Sequence, residues 1–158
     1  VIEEGHTVII DVGALVDGYH SDMTRTFVIG RPTPLQPELY ELVLAAQQAG
    51  VAAVAAGLST KQLDAVCRDI ITEGGYGDWF THGTGHGVGL LIHEDPFVNR
   101  AGDAILQVGD VVTVEPGVYR EGFGGIRVED LVVVTSEGCR VLTASPKESP
   151  CPPFPPTI

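Results

Sequence analysis

Asp11, Asp22, His86, Glu115 and Glu129 are the residues whose types and spacing could do chemistry together. The first two flank Asp17-Gly18, a dipeptide that favours a two-residue hairpin turn between the β-branched and aromatic runs 7–15 and 19–29. With that turn, facing residues have numbers that sum to 35, so Asp11 faces Thr24 and Asp22 faces Gly13. The two aspartates then share a face as diagonal neighbours, roughly 7–8 Å apart at Cα. Carboxylates so placed repel one another unless a cation lies between them. The plain alternative is that one of them turns to solvent near a strand end.

A second group lies in THGTGHGVGLLIHEDP, residues 81–96, where His82, His86 and His93 are interleaved with Gly83, Gly85, Gly87 and Gly89. Glycine lets backbone approach a ligand closely, and neutral imidazole is the commonest nitrogen ligand for a metal. Any one of these histidines, taken singly, reads equally as a satisfied core residue. A phosphate cradle is the weaker reading, because no strand–turn–helix unit surrounds the glycines and no Gly-Lys-Ser/Thr follows them.

Glu115 in VVTVEPGVY and Glu129 in GGIRVEDLVVV form the third group. Acidic residues within apolar strands are costly unless paired or metal-bound. The period of two puts Arg127, Glu129 and Leu131 on one face and Val128 and Asp130 on the other, so Arg127 is placed to hold a carboxylate of the same site. An edge strand with a solvent-facing Arg/Glu row is the alternative. Four carboxylates and one imidazole suit a pair of divalent ions bridged by carboxylates, and are too poor in nitrogen and sulfur for a structural zinc site. Such a centre acidifies a bridging water and polarises a carbonyl, the equipment for amide hydrolysis.

The elements that must position these groups are legible in outline. Beyond the hairpin, a helix is predicted from Pro37 to Ala56, with proline in its first turn, an Ala-rich middle suited to close packing, and Gly57 past its end. A second helix opens at Ser59, which has capping-box spacing to Gln62. Leu63, Val66, Cys67, Ile70 and Ile71 give it an apolar stripe, and Gly74-Gly75 ends it. Residues 81–100 fit no regular period. Further strands are predicted over 111–115, 125–135 and 140–143. From Pro146 there are six prolines in 13 residues, read as an extended or disordered tail, which leaves 1–145 as the domain and 146–158 as the tail.

The chain has 158 residues, 44 % of them apolar, enough for one domain with a core. No apolar run approaches the ~20 residues of a membrane span. Nine basic residues against 21 acidic ones give a net charge of −12, which argues against a nucleic-acid partner. Cys67, Cys139 and Cys151 form neither a disulfide framework nor a Cys-x-x-Cys pair, and fit a reducing, cytoplasmic setting as structural or incidental residues. The opening VIEEGHTVIIDVG reads like the interior of a longer protein.

The order Asp, Asp, His, Glu, Glu resembles that of the dinuclear pita-bread metallopeptidases, which include methionine aminopeptidases, Xaa-Pro aminopeptidases and Xaa-Pro dipeptidases (prolidases). The matching stretches are DVGALVDGYHSDMTRTFVIG, HGTGHGVGLLIHEDP, VVTVEPGVY and GGIRVEDLVVVT, within residues 7–135. HGTGHGVGLLIHE and SDMTRTF are similar to the Xaa-Pro branch, with the methionine branch as runner-up. The resemblance implies an α+β pita-bread fold, a curved and mostly antiparallel sheet with helices on its outer face, N-terminally incomplete here. It implies two divalent ions, Mn²⁺ first, with Co²⁺, Zn²⁺ or Fe²⁺ as alternatives, and a peptide substrate with proline at its second position.

The resemblance also assigns roles. Asp11, Asp22, His86, Glu115 and Glu129 are the implied metal ligands, with Asp22 and Glu129 bridging. Glu115 also shuttles a proton to the leaving amine, His93 stabilises the tetrahedral intermediate, and His82 lines the proline pocket. Arg127 and Tyr119 support Asp11 from behind. Relatives that have lost the metal, such as creatinases, replace several ligands, whereas all five stand here. One departure is a further active-site histidine that the family carries ahead of the segment starting at Val1; His6 and His20 do not occupy its place. A separate N-terminal domain, and a homodimer in the full-length parent, are the family's usual setting. The prolines after Lys147 depart from the usual ending. Outside this class, the chain reads as a metal- or partner-binding fragment without catalysis, or as a piece that folds only with its missing half.

Overall fold

The hairpin that opens the chain keeps the register its turn dictates. In the computed structural model, which describes residues 1–150, strands β1 (Thr7–Val12), β2 (Leu15–Val16), β3 (Tyr19–His20) and β4 (Met23–Val28) form one ribbon. Asp11 lies opposite Thr24, and Val16 opposite Tyr19. Asp17 and Gly18 both take positive φ, 51° and 86°, the conformation a tight turn of this hand requires. The two long strands predicted are in fact four, because the ribbon is pinched between them. The Ser21 hydroxyl accepts the Ala14 N–H at 3.0 Å, and the Ser21 N–H donates to the Ala14 carbonyl at 2.9 Å. A Cβ at Gly13 would lie 2.1 Å from the Ser21 carbonyl oxygen, so only glycine permits the pinch. Asp22 follows it and is buried.

Helix α1 (Leu35–Ala53) starts two residues before Pro37 and stops three short of the predicted Ala56. Val54 leaves the helix with ψ 119°, and the chain beyond it is claimed by a strand-like exchange in which Gly57 N–H donates to Leu106 O and Leu106 N–H to Leu58 O, each at 2.9 Å. Helix α2 (Thr60–Glu73) forms as predicted, with the Ser59–Gln62 capping box in place and Leu63, Cys67 and Ile71 fully buried. The two helices cross closely at Gly50, where a Cβ would come within 2.5 Å of the Cys67 Sγ and 2.8 Å of Val114.

The remaining strands are β5 (Gly85–Gly87), β6 (Glu94–Val98), β7 (Val111–Val114), β8 (Gly117–Arg120), β9 (Gly124–Arg127), β10 (Asp130–Thr135) and β11 (Gly138–Val141). Five of them form an antiparallel sheet in the order β11-β10-β7-β5-β6, and β8 pairs with β9. Strands β5 and β6 occupy the stretch where no period was legible. The glycines of β5 are there for proximity: a Cβ at Gly85 would lie 2.0 Å from the Thr113 carbonyl oxygen of β7. The single strand predicted over 125–135 is two strands, broken at Val128–Glu129, where Glu129 turns to form an isolated bridge with Thr24 of β4. Alternation along β7 separates core from site. Val112 and Val114 join Leu39, Val43 and Leu63 in the apolar core, while Thr113 faces the other way.

Of the segment read as an extended or disordered tail, residues 146–150 form neither helix nor strand. They lie against the body, with the carbonyls of Pro146, Lys147 and Pro150 accepting from Arg25, Tyr40 and Val28 respectively. A proline-rich segment lacks N–H donors but keeps every carbonyl, and these carbonyls make the contacts. The rest of that tail, residues 151–158 with Cys151, lies outside the described residues. Among the described residues no helix is long and apolar enough to cross a membrane.

Candidate metal centre

The pinched ribbon, the glycine strand β5 and the break before β10 deliver one side chain each to a common point. Asp22, His86 and Glu129, all buried, offer ligand atoms that lie within 4.8 Å of one another. Glu115, just past β7, places Oε1 3.2 Å from His86 Nε2, and Asp22 Oδ2 lies 3.7 Å from the same nitrogen. Thr113 ties the group together: its hydroxyl accepts the His86 N–H at 3.0 Å and donates to Glu115 Oε1 at 3.1 Å. His86 Nδ1 lies 3.0 Å from the Gly87 carbonyl. With a proton assigned to Nδ1 by that acceptor, Nε2 is the atom aimed at the carboxylates.

Asp11 sits at the edge of the cluster, its side chain 53 % exposed, and Arg127 Nη2 grips it at 2.5 Å. The same guanidinium donates through Nε to the Thr24 hydroxyl at 3.1 Å and through Nη1 to the Tyr119 hydroxyl at 2.9 Å. Thr24 in turn donates to Glu129 Oε2 at 2.6 Å, and Tyr119 stands 2.9 Å from His82 Nε2. His82 Nδ1 rests on the Gly83 carbonyl at 2.7 Å, so Nε2 accepts the Tyr119 proton. Burial lowers the pKa of His82 and keeps it neutral for that role.

The electrostatics are those of buried, crowded carboxylates. Burial first, and then the Glu115 charge, push Glu129 up to about 8. Burial and Asp11 raise Asp22. Burial disfavours a charge on His86, yet the Glu115 hydrogen bond and the neighbouring carboxylates outweigh it and raise its pKa. Buried, oxygen-rich and crowded with negative charge, the donor set fits divalent cations. Asp11, Glu115 and His86 open into a cavity of about 360 Å³, also lined by His93, Phe97 and Asn99. The His93 ring packs 4.1 Å from that of His86. A larger cavity of about 490 Å³ lies on the far side of His82, beside Asp78 and Arg100, and holds none of the clustered carboxylates.

All five proposed ligands are thus neighbours, with Tyr119, Arg127, His82 and His93 around them. His6 and His20 lie elsewhere, His6 accepting the Glu3 N–H and His20 lying against Gly89 O. Sequence reasoning passed over Thr24, Thr113 and the Asp64–Arg68 pair. Arg68 is held by both Asp64 oxygens at 2.7 and 2.8 Å and donates to the carbonyls of Phe80 and His82; Asp64 also accepts from the Thr84 N–H and hydroxyl. Helix α2 thereby fixes the loop that carries His82 into β5. Opposite charges four residues apart on the apolar side of a helix were the available signal. Thr24 was already placed opposite Asp11 by the hairpin register.

The sequence profile of metallopeptidase family M24 matches residues 1–136. The Xaa-Pro dipeptidase of Pyrococcus furiosus is 48 % identical over 147 residues, which cover 93 % of this chain and 42 % of the relative. The uncharacterized peptidase YqhT of Bacillus subtilis is 48 % identical over 148 residues, 94 % of this chain and 42 % of the relative. Among solved structures, the prolidase from Pyrococcus horikoshii superposes with a TM-score of 0.91 at 46 % identity, over 93 % of this chain and 42 % of that one. The X-Pro aminopeptidase from Thermotoga maritima superposes with a TM-score of 0.89 at 42 % identity, over 92 % and 41 %. The chain spans about two fifths of the length of these relatives. On the match over residues 1–136 and these superpositions, the chain belongs to metallopeptidase family M24 and has the pita-bread fold.

Proposed function

We propose that this chain carries the metal centre of an Xaa-Pro peptidase, which hydrolyses the bond between an N-terminal residue and a following proline. The observation that carries the reading is the convergence of Asp22, His86 and Glu129 within 4.8 Å, with Glu115 3.2 Å from His86, out of four separate segments of chain. Asp11, Asp22, His86, Glu115 and Glu129 would hold two divalent ions. Carboxylate-rich ligation favours Mn²⁺, with Co²⁺, Fe²⁺ and Zn²⁺ as the alternatives. When bound, such ions supply an acidified water and polarise the scissile carbonyl.

The chain's own residues do the rest. Glu115 takes a proton from the attacking water and returns it to the departing prolyl nitrogen. His93, at the cavity wall beside His86, donates to the carbonyl oxygen as negative charge develops there. Arg127 orients Asp11, Thr24 and Tyr119 at once, and Tyr119 fixes the neutral His82 ring that lines the space for the proline ring. The free thiols Cys67 and Cys139 accord with a cytoplasmic setting.

Calorimetric titration with Mn²⁺, beside Asp22→Asn, tests the centre. Two ions bound, and fewer in the variant, are expected; no saturable binding would overturn the proposal. Hydrolysis of Ala-Pro against Met-Ala peptides then separates the Xaa-Pro branch from methionine aminopeptidases. Activity that survives Glu115→Gln would remove Glu115 from the proton path.

A further inference from the structure

Arg25 lies directly behind the cluster, on the opposite face of β4 from Thr24, and is 3 % exposed. Its guanidinium has five N–H groups, and five oxygens meet them. Nε donates to the Pro146 carbonyl at 3.0 Å. One terminal nitrogen donates to the carbonyls of Thr24 at 2.8 Å and Glu129 at 2.5 Å. The other donates to Asp130 Oδ1 at 2.8 Å and the Ser145 carbonyl at 2.6 Å. Thr24 and Glu129 are the two residues of the isolated bridge that breaks the strand and turns the Glu129 carboxylate into the site. Asp130, 1 % exposed, is completed by Gln47 at 3.0 Å and by the Lys147 ammonium. Lys147 also donates to Gln47 at 2.8 Å, and Tyr40 donates to the Lys147 carbonyl at 2.9 Å.

From this geometry we infer that Arg25 is a positioning residue for the metal centre. It clamps the backbone of Thr24 and Glu129 to the segment Ser145–Lys147, and that segment acts as a latch holding the Glu129 carboxylate in ligand position. The reasoning is steric and electrostatic. A bridge of one residue pair is a short ladder: the Glu129 N–H reaches the Thr24 carbonyl, and Arg25 adds a second donor to that carbonyl and supplies one to the Glu129 carbonyl. A planar fork of fixed shape can reach both at once, whereas an ammonium cannot reproduce five directed bonds. The latch contributes through Ser145 and Pro146 carbonyls, and Lys147 neutralises the Asp130 charge that keeps the fork in place. The centre is therefore built from front and back: Thr24 hydroxyl on the Glu129 side chain, Arg25 on its main chain.

The inference rests on the proposed metal centre, and its test has one arm that needs no metal. Arg25→Lys keeps the charge beside Asp130 and removes the fork. Outer partners of ligands typically alter metal affinity about 10–100-fold. Arg25→Lys is expected to weaken Mn²⁺ binding by about tenfold or more in calorimetry. In the metal-free chain, hydrogen exchange of the Glu129 amide, which donates to Thr24 O at 3.1 Å, is expected to speed up. The Val134 amide, which donates to Asp110 O at 2.8 Å, keeps its protection. Lys147→Met is expected to move both readouts the same way, less strongly, with Lys147→Arg restoring them. It also serves should Arg25→Lys fail to fold. Uniform loss of protection with unchanged Mn²⁺ affinity would mean a merely structural arginine and would overturn the inference. A parent chain that binds no Mn²⁺ sinks the proposed function, and the Glu129 amide alone then decides this one: unchanged exchange in the variants refutes it.

Discussion

Thr24 and Glu129 face each other across a single β-bridge, and the Thr24 hydroxyl donates to Glu129 Oε2 at 2.6 Å while accepting from Arg127 Nε at 3.1 Å. One hydroxyl thus orients a carboxylate of the cluster and the guanidinium that holds another. Thr24→Val keeps the shape and removes the hydroxyl, leaving a buried carboxylate oxygen and a guanidinium N–H short of a partner. Loss of one such bond destabilises by about 1–3 kcal/mol. The expected result is a roughly tenfold weaker Mn²⁺ titration with a modest drop in the urea midpoint. Parent-like affinity in the valine variant would show that Glu129 is held without Thr24.

The Glu129 carboxyl offers a pH test with an unusual sign. Its folded pKa is raised from 4.5 to about 8 by burial and by Glu115. A group raised in the folded state contributes stability that is fully present below its unfolded pKa and is lost as the pH rises through its folded one. Between about pH 5 and 8 the metal-free chain therefore weakens, by up to about 1.4 kcal/mol per pH unit for one proton. Glu129→Gln cannot ionise, so at about pH 8.5 the metal-free variant is expected to melt higher than the metal-free parent. In saturating Mn²⁺ the order reverses, because the parent gains binding energy that the variant lacks. Melting curves at pH 5.5 and 8.5, with and without Mn²⁺, check both halves. A metal-free variant that melts lower at both pH values would contradict the argument.

The parts of this fold that were legible in the sequence are those written in local code. Asp17-Gly18 specified a tight turn, and the turn specified the register that puts Asp11 opposite Thr24. Ser59 and Gln62 announced the start of α2. Costly carboxylates in apolar strands, Glu115 and Glu129, point to the cluster independently of any family likeness. What escaped was written in non-local partners. The end of α1 is decided by Leu106, some 50 residues on, whose backbone takes over Gly57 and Leu58. Arg25 satisfies itself mainly on backbone carbonyls more than 100 residues away, and a carbonyl has no letter in the sequence. The break at Glu129 carries no glycine or proline, and its cause is the bridge to Thr24 more than 100 residues away, so the strand pattern on either side reads as continuous.

Strand β5 carries His86 on a backbone that approaches β7 more closely than any side chain allows. A Cβ on Gly85 would lie 2.0 Å from the Thr113 carbonyl oxygen and 2.8 Å from the Thr113 hydroxyl. The obstacle is main chain, so no rotamer change relieves it, and β5 must move away. Moving it strains two bonds that define the cluster: His86 N–H to the Thr113 hydroxyl at 3.0 Å, and Glu115 N–H to the Thr84 carbonyl at 2.8 Å. Gly85→Ala is therefore expected to cost about 1–3 kcal/mol as overpacking, and to lose Mn²⁺ affinity beyond what that destabilisation explains. Gly57→Ala is the control, since its position has positive φ but no atom within 4 Å of a Cβ. It should destabilise through backbone strain while leaving Mn²⁺ affinity intact. Calorimetry and urea unfolding on both variants separate the two effects. Equal affinities in the two would mean that the close approach of β5 to β7 serves packing alone.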